Sequence, residues 1–228
     1  MSADPARGLG IAAEFDAKAP TYETYRLAPW YKAHGEAILA ALDDPGDGAV
    51  LDIGCGTGWL LRRIARSFPA ARGIGLDLSG VMVETARQKA AAAGLDRLDF
   101  VNADWESPDV ERLPGLSGKR INAIVCANAF HYFGDTGEAV AKMFRTLAPG
   151  GELLLLERAK ERSVLTLIWD VLHRFLIRDQ VRFYSSSELI ELICGAGFSN
   201  VEVKTKIKRW LWHNKFFTSV VLISAKKR

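Results

Sequence analysis

The pattern of apolar and polar positions divides the chain into a helical N-terminal segment and a longer alternation of strands and helices. Apolar residues recur at helical spacing over residues 29–42, and the turn-forming run 43–48 ends that helix. From residue 49 onward an apolar strand, a glycine-containing turn and a helix follow one another repeatedly. This alternation is typical of parallel strands with helical crossovers on both faces of a sheet.

The predicted elements suit one α/β domain of 228 residues. We expect strands at 49–53, 72–76, 98–101, 121–126 and 152–156, and helices at 59–67, 80–93 and 138–147. A helix at 163–177, a second at 187–194 with a serine run as its N-cap, and an antiparallel hairpin of strands 201–207 and 216–223 complete the chain.

Charge and cysteine content narrow the function classes. The net charge is +3, and the basic residues Lys204, Lys206 and Lys208 alternate with period two, which favours the solvated face of an edge strand over a nucleic-acid patch. The three cysteines lack disulfide or metal spacing, so no metal is expected. Without a signal peptide or a membrane-spanning run, the protein is expected to be cytoplasmic.

The strongest local signal is the glycine run of residues 50–58. An apolar strand leads into Gly54, Gly56 and Gly58, and a helix follows, so backbone N–H groups can approach a nucleotide-like ligand closely. A dinucleotide fingerprint requires glycine where Trp59 stands, which argues against a nicotinamide oxidoreductase. No Lys-Ser or Lys-Thr follows the glycines, so a phosphate P-loop is also excluded.

Three acids follow consecutive strands and share one rim of the predicted sheet. Asp52 favours a ligand with an ammonium group, since it would repel a pyrophosphate. Asp77 can accept both hydroxyls of a ribose, with Leu78 and Met82 flanking a flat base. Asp104 can accept the amine of an adenine.

On these residues the chain resembles the class I S-adenosylmethionine-dependent methyltransferases, in the small-molecule branch that includes ubiquinone and menaquinone pathway enzymes. The resemblance covers almost the whole chain, through residues 15–22, 51–58, 75–82, 102–105, 129–133, 147–151, 183–189 and 195–198. It implies a Rossmann-like, mostly parallel seven-stranded sheet of order 3-2-1-4-5-7-6 with strand 7 antiparallel. It also implies helices on both faces, a helical lid (1–45), a cofactor-binding half (49–157), and substrate-side helices with the terminal hairpin (158–228), including a helical insertion after strand 5.

The resemblance also implies which residues bind S-adenosylmethionine, with S-adenosylhomocysteine as the product. The glycines would line the methionine part, Asp77 the ribose, Asp104 and Trp105 the adenine, and Ala127 and Asn128 the methionine end. The full predicted set is Tyr22, Asp52, Gly54, Cys55, Gly56, Gly58, Asp77, Leu78, Met82, Asp104, Trp105, Ala127 and Asn128. Cys55 is not expected to act as a nucleophile.

The methyl acceptor is expected to be a small flat or apolar molecule. The resemblance implies an acceptor pocket lined by segments rich in aromatic and aliphatic residues. They are Tyr22, Tyr25, Trp30 and Tyr31, loop 128–133, helix 165–177 and linker 210–213. The loop 127–130 lacks the Asn-Pro-Pro-Tyr pattern of amino-group DNA enzymes, so no nucleic acid is expected, whereas a protein acceptor stays open. A binding protein, or one that performs another reaction of the sulfonium, also stays open, as do the acceptor atom and the oligomeric state.

A base is needed only if the acceptor must lose a proton. His131 is the first candidate, because histidine titrates near neutral pH, and His213 and Tyr22 follow. His34 and His173 are expected to be surface or structural residues.

Overall fold

The computed structural model describes residues 5–160, 184–208 and 218–228. The helices are α1 (Pro5–Lys18), α2 (Ala28–Ala41), α3 (Trp59–Ser67), α4 (Gly80–Ala92), α5 (Thr136–Thr146) and α6 (Ser186–Gly195). The strands are β1 (Ala49–Ile53), β2 (Arg72–Asp77), β3 (Leu98–Asn102), β4 (Ile121–Ala127), β5 (Leu147–Lys160), β6 (Ser199–Lys208) and β7 (Thr218–Lys226). The predicted helix 163–177 and linker 210–213 lie outside the described residues.

The seven strands form one sheet in the order β3-β2-β1-β4-β5-β7-β6. Strands β1 to β5 pair in parallel, and β7 runs antiparallel to both β5 and β6. This topology confirms the predicted sheet order and the reversed seventh strand. It also places the carboxyl ends of β1, β2 and β3 side by side at one edge of the sheet.

Helices cover both faces of the sheet, as predicted. Along β1, Val50 packs in one core with α2, α3 and α4, whereas Leu51 packs in the other core with α5 and α6. On β5, Leu153 and Leu155 pack in the same core as Leu51, and Leu154 packs in the same core as Val50. Because every strand position meets a hydrophobic layer, the strand reads as an unbroken leucine run and not as an alternation.

Local capping residues lie at the ends of two helices. Ser79 caps α4 by accepting a hydrogen bond from the Met82 N–H, and Gly94 adopts φ +65° just beyond its end. Ser185 and Glu188 form a reciprocal capping box at the start of α6. Local sequence therefore determines these helix ends.

Strand β5 is longer than predicted, because its polar end also pairs with β7. The register runs from Glu152 opposite Lys226 to Lys160 opposite Thr218, so Glu157 and Arg158 lie within the sheet. At the outer edge, Lys204 and Lys206 on β6 are exposed, as predicted, and Lys204 pairs with Glu202 at 3.2 Å. None of the described helices combines the length and apolarity needed to cross a bilayer.

Candidate active site

The glycine loop between β1 and α3 folds back against the end of β2. Gly54 and Cys55 donate backbone hydrogen bonds to the Leu76 carbonyl at 2.8 and 3.1 Å. Gly54 has φ +76°, and a Cβ there would lie 2.4 Å from the Ala129 Cβ. Only glycine fits this position, because any side chain would meet both the strained backbone and the neighbouring loop.

The third glycine serves packing. Gly58 adopts φ +72° as the N-cap residue just before α3, and a Cβ there would lie 2.8 Å from the Phe100 ring on β3. Gly58 lines neither of the two clefts at this edge of the sheet. Its predicted contact with the ligand is therefore not supported by the geometry, since its neighbours are the helix and strand that it allows to approach.

Two adjoining clefts open at the carboxyl edge of the sheet. The first, about 860 Å³ including its mouth, lies under α1 and reaches Asp77, Leu78 and Asp104. The second, about 580 Å³ including its mouth, lies under α2 and reaches Asp52, Cys55 and Trp59. Five residues line both clefts: Tyr22, Gly54, Gly56, Ala127 and Asn128. The fold therefore brings most of the predicted binding residues into one continuous region.

Asp77 links the end of β2 to the glycine loop. Its Oδ2 accepts the Gly56 N–H at 2.8 Å and its Oδ1 accepts the Ser79 N–H at 2.9 Å. Burial raises the pKa of Asp77, and these two backbone hydrogen bonds act in the opposite direction. Each carboxylate oxygen has two lone pairs, so both oxygens retain one for a ligand in the first cleft.

Asp52 is the buried acid of the second cleft. Asp52 is only 2% exposed. Burial, together with the charge of Asp77, raises the pKa of Asp52 to about 8. No described residue donates a hydrogen bond that would lower this pKa. A carboxyl group in this setting is complementary to a cation that enters the cleft.

The predicted adenine region is only partly as expected. Leu78 and Asp104 line the first cleft, and the Asp104 Oδ1 accepts the Glu106 N–H at 2.8 Å. Trp105 also lines the cleft but is 2% exposed, and its indole N–H donates to the Ala139 carbonyl at 3.1 Å. Met82 is fully buried and lines neither cleft, so its predicted contact with a base is not supported. The reason is that α4 turns this side chain into the core.

Helix α1 forms the roof of the first cleft. Arg7 donates to the Tyr132 carbonyl at 2.8 Å, and Phe15 meets the Tyr132 ring edge-on with centroids 5.5 Å apart. At the other end of the helix, Asp16 accepts hydrogen bonds from the Ser79 hydroxyl and the Val81 N–H. These contacts hold α1 across the cleft, and its role as a lid stays a prediction.

Tyr22 borders both clefts. Its ring stacks on Tyr25 and Tyr31 with centroids 6.0 and 5.7 Å apart. Burial, reinforced by Tyr31 and Tyr25, raises the pKa of Tyr22 far above its ordinary value. The protonated phenol can donate a hydrogen bond, and the role of Tyr22 as a base stays a prediction.

The next residue anchors this part of the lid. Glu23 accepts hydrogen bonds from the Thr57 hydroxyl at 2.6 Å and Arg62 at 2.8 Å, and it lies 2.9 Å from the Lys89 ammonium. Burial acts to raise the pKa of Glu23, but the three donors prevail and lower it to about 2. Glu23 therefore ties the Tyr22 segment to the first turn of α3.

Asn128 is held in an uncommon backbone conformation at the end of β4. It has φ +55°, and its Oδ1 lies 3.1 Å from the Nδ1 of His34. His34 is fully buried, so it is structural and not a surface residue. By fixing the Asn128 side chain, His34 shapes the wall that both clefts share.

His131 forms a buried pair with an acid of β5. Its Nδ1 lies 2.8 Å from the Glu157 Oε1, and its backbone N–H donates to Oε2 at 3.2 Å. A carboxylate on Nδ1 selects the tautomer in which Nε2 accepts a proton. His131 lines neither cleft and is 4% exposed, so its role as a base stays a prediction. His213 and His173 lie outside the described residues.

Sequence reasoning missed several residues of the site. Arg7, Ile11 and Phe15 line the first cleft, and the helical spacing of Ile11 and Phe15 was a signal that could have identified an inward face of α1. Glu106 also lines that cleft and accepts the Gly134 and Asp135 N–H groups. No local pattern indicates that pairing, because its partners lie almost thirty residues away.

Comparison with known proteins yields consistent matches. Residues 50–151 match a family model described as a methyltransferase domain. The chain is 26% identical over 220 residues to the ubiquinone/menaquinone biosynthesis C-methyltransferase UbiE of Desulfotalea psychrophila, covering 87% of this chain and 86% of that protein. It is 33% identical over 144 residues to a malonyl-[acyl-carrier protein] O-methyltransferase of Hahella chejuensis, covering 63% of this chain but only 48% of that protein.

A solved structure, the YcgJ protein of Bacillus subtilis, has the same fold. It superimposes with a TM-score of 0.72 at 22% identity, over 86% of this chain and 99% of that one.

Proposed function

Because the chain belongs to the class I S-adenosylmethionine-dependent methyltransferases, in the ubiquinone/menaquinone-like branch, we propose that it methylates a small acceptor with a flat or apolar body. The observation that carries the proposal is Asp52, a buried carboxyl group beside a bare glycine loop, to which no residue in the described ranges donates a hydrogen bond. S-adenosylmethionine carries an ammonium and a sulfonium, which are the charges that such a site favours.

The residues around the two clefts fit this ligand. Asp52 would pair with the ammonium of the methionine part, next to the exposed backbone of Gly56. Asp77 would accept the ribose hydroxyls through the lone pairs that its two backbone donors leave. Leu78 and Asp104 would contact the adenine in the first cleft, under the roof of α1.

The bound S-adenosylmethionine would supply a methyl group already activated by the positive sulfur. The protein then has to align the acceptor and exclude water. Tyr22 and Asn128 each border both clefts, so these two residues would define where the acceptor meets the methyl group. Glu23 and His34 hold them in place.

An acceptor that loses a proton would use the His131–Glu157 pair. Glu157 keeps the proton on Nδ1, so Nε2 would accept the acceptor's proton. The relatives named above include a C-methyltransferase and an O-methyltransferase, so the acceptor atom has to be measured. An acceptor that is deprotonated in solution would need no base, and Glu157→Gln would then leave its rate unchanged.

Calorimetry with S-adenosylhomocysteine tests the proposal. The wild-type chain should bind it saturably, Asp77→Ala should weaken binding at least about tenfold, and Asp99→Asn, at an exposed acid of β3, should leave binding unchanged. Absence of binding by the folded wild-type chain would refute the assignment.

A second measurement separates methyl transfer from other reactions of the sulfonium. Extracts are incubated with protein and with S-adenosylmethionine labelled in the methyl or the aminobutyryl carbons. Methyl label in a small product, without aminobutyryl label, supports the proposal. The reverse distribution would assign another reaction to the same site.

A further inference from the structure

Arg158 lies at the carboxyl end of β5 with a positive charge that the described residues do not neutralise. Along β5, Leu154 and Leu156 pack on the α2 side of the sheet, so Arg158 continues that face while Glu157 turns to the opposite side. The Arg158 Nε is buried and makes no hydrogen bond within the described part of the chain, and the guanidinium lies 5.7 Å from the centre of the Trp30 ring.

The adjacent acid does not serve as the counter-ion. Both carboxylate oxygens of Glu157 are committed to His131, and Oε1 also accepts the Arg158 backbone N–H at 2.7 Å. A buried guanidinium nitrogen without an acceptor is unfavourable unless another group completes it. Trp30 supplies a flat surface under the cation but no acceptor oxygen, which leaves the donors of the guanidinium edge for a ligand.

Arg158 is connected to the wall of both clefts through a short series of contacts. Asn128 donates its backbone N–H to the Leu156 carbonyl at 2.9 Å, two residues before Arg158. The side chain of Asn128 meets His34, and the His34 ring lies 3.9 Å from the Trp30 ring on which the guanidinium packs. Arg158 itself lines neither cleft, but this series of contacts connects it to Asn128, which borders both clefts.

We propose that Arg158 binds a carboxylate of the methyl acceptor, with Trp30 as the platform that orients the guanidinium. This inference rests on the proposed function and narrows its substrate class from a flat or apolar molecule to one that also bears a carboxylate. The planar guanidinium matches a carboxylate with two parallel hydrogen bonds, a geometry that a lysine ammonium does not reproduce.

Two carboxylates and their neutral amides test the inference in solution. Benzoate, hexanoate, benzamide and hexanamide are titrated into the ¹⁵N-labelled chain, with and without S-adenosylhomocysteine. The arginine Nε–H resonances are followed, and the one absent from Arg158→Lys identifies Arg158. At least one carboxylate should shift this resonance saturably. The affinity of the matching amide should be lower by a factor of at least about ten.

Variants separate the site from general effects of charge. Arg158→Gln should abolish the preference for the carboxylate, and Arg158→Lys should reduce it. Arg112→Gln, which removes an arginine that is 85% exposed, should retain the preference. Calorimetry with S-adenosylhomocysteine on each variant shows whether the fold and the donor site are intact.

Three results would overturn the inference. They are equal binding of a carboxylate and its amide, carboxylate binding that survives Arg158→Gln, and no carboxylate binding by a chain that still binds S-adenosylhomocysteine. A shift caused by inorganic phosphate but by neither carboxylate would likewise reject the carboxylate class. Failure of S-adenosylhomocysteine to bind would instead count against the proposed function, while the carboxylate titration would still report on Arg158.

Discussion

Replacing Asp52 with asparagine should stabilise the ligand-free chain while weakening its binding of S-adenosylhomocysteine. The pKa of Asp52 rises from 3.8 to about 8 on folding, because the carboxyl group is buried and faces Asp77. Below pH 3.8 both the folded and the unfolded chain hold the proton. As the pH rises toward 8 only the unfolded chain releases it, so the free energy of unfolding falls.

The size of the effect follows from the difference in pKa. Each pKa unit corresponds to about 1.4 kcal/mol, and about three units separate the unfolded pKa from pH 7, so ionisable Asp52 destabilises the empty site by about 4 kcal/mol at neutral pH. Asparagine has nearly the same shape and does not titrate. The gain in unfolding free energy for Asp52→Asn should therefore grow from about 2 kcal/mol at pH 5 to about 5 kcal/mol at pH 8.

Urea denaturation of the wild type and Asp52→Asn, at several pH values between 5 and 8, measures this difference. Adding saturating S-adenosylhomocysteine should narrow the stability difference by about 1.4 to 2.7 kcal/mol, because the ammonium of the ligand stabilises ionised Asp52 but not asparagine. Calorimetry should show binding weakened roughly tenfold to a hundredfold, the loss of one charge-assisted hydrogen bond.

The exposed acid Asp99 provides the control, since Asp99→Asn should alter neither stability nor binding by a comparable amount. A stability difference for Asp52→Asn that does not change with pH would refute the argument about burial. Unchanged affinity for S-adenosylhomocysteine would show that Asp52 does not pair with its ammonium.

Three further perturbations examine the rest of the site. Gly56→Val should abolish S-adenosylhomocysteine binding in calorimetry, because Gly56 has φ +54° and a Cβ there would face Tyr22 at 3.6 Å. The control Gly46→Ala, at φ +61° in open space, should lower only the unfolding free energy, by about 1 kcal/mol. Equal effects of the two variants on binding would contradict this reasoning. Asp16→Ala should speed release of S-adenosylhomocysteine several-fold in stopped-flow experiments, since it removes one attachment of α1, and an unchanged rate would argue against a lid. Glu157→Gln should shift the pH dependence of methyl transfer to an acceptor that must be deprotonated while leaving S-adenosylhomocysteine affinity intact, and an unchanged profile would exclude the pair as a base.

The residues around the glycine loop show how far local pattern reaches. The strand that leads into Gly54, and the acids Asp77 and Asp104 after the next two strands, could be placed at one edge because parallel strands end on the same side of a sheet. The helix caps Ser79 and Ser185 were also readable, since capping depends on residues only three positions apart.

Other features could not be read from the chain, because they depend on which distant segments meet. Met82 has the right position in sequence to contact a base, yet α4 rotates it into the core. Gly58 belongs to the same run as Gly54, yet it faces the Phe100 ring. A glycine pattern records that a side chain is not tolerated, and only the packed neighbours reveal whether a ligand or a ring occupies the space.

By itself, the sequence determined the order of strands and helices, the glycine turn and the rim on which the acids lie, because burial periodicity and turn chemistry act over a few residues. The tertiary structure decided that Glu157 turns to His131, that Arg158 packs on Trp30, and that Tyr22 borders two adjoining clefts. Those outcomes depend on sheet register and on the approach of α1 and α2. Contacts between segments far apart in sequence leave no periodic trace in either one.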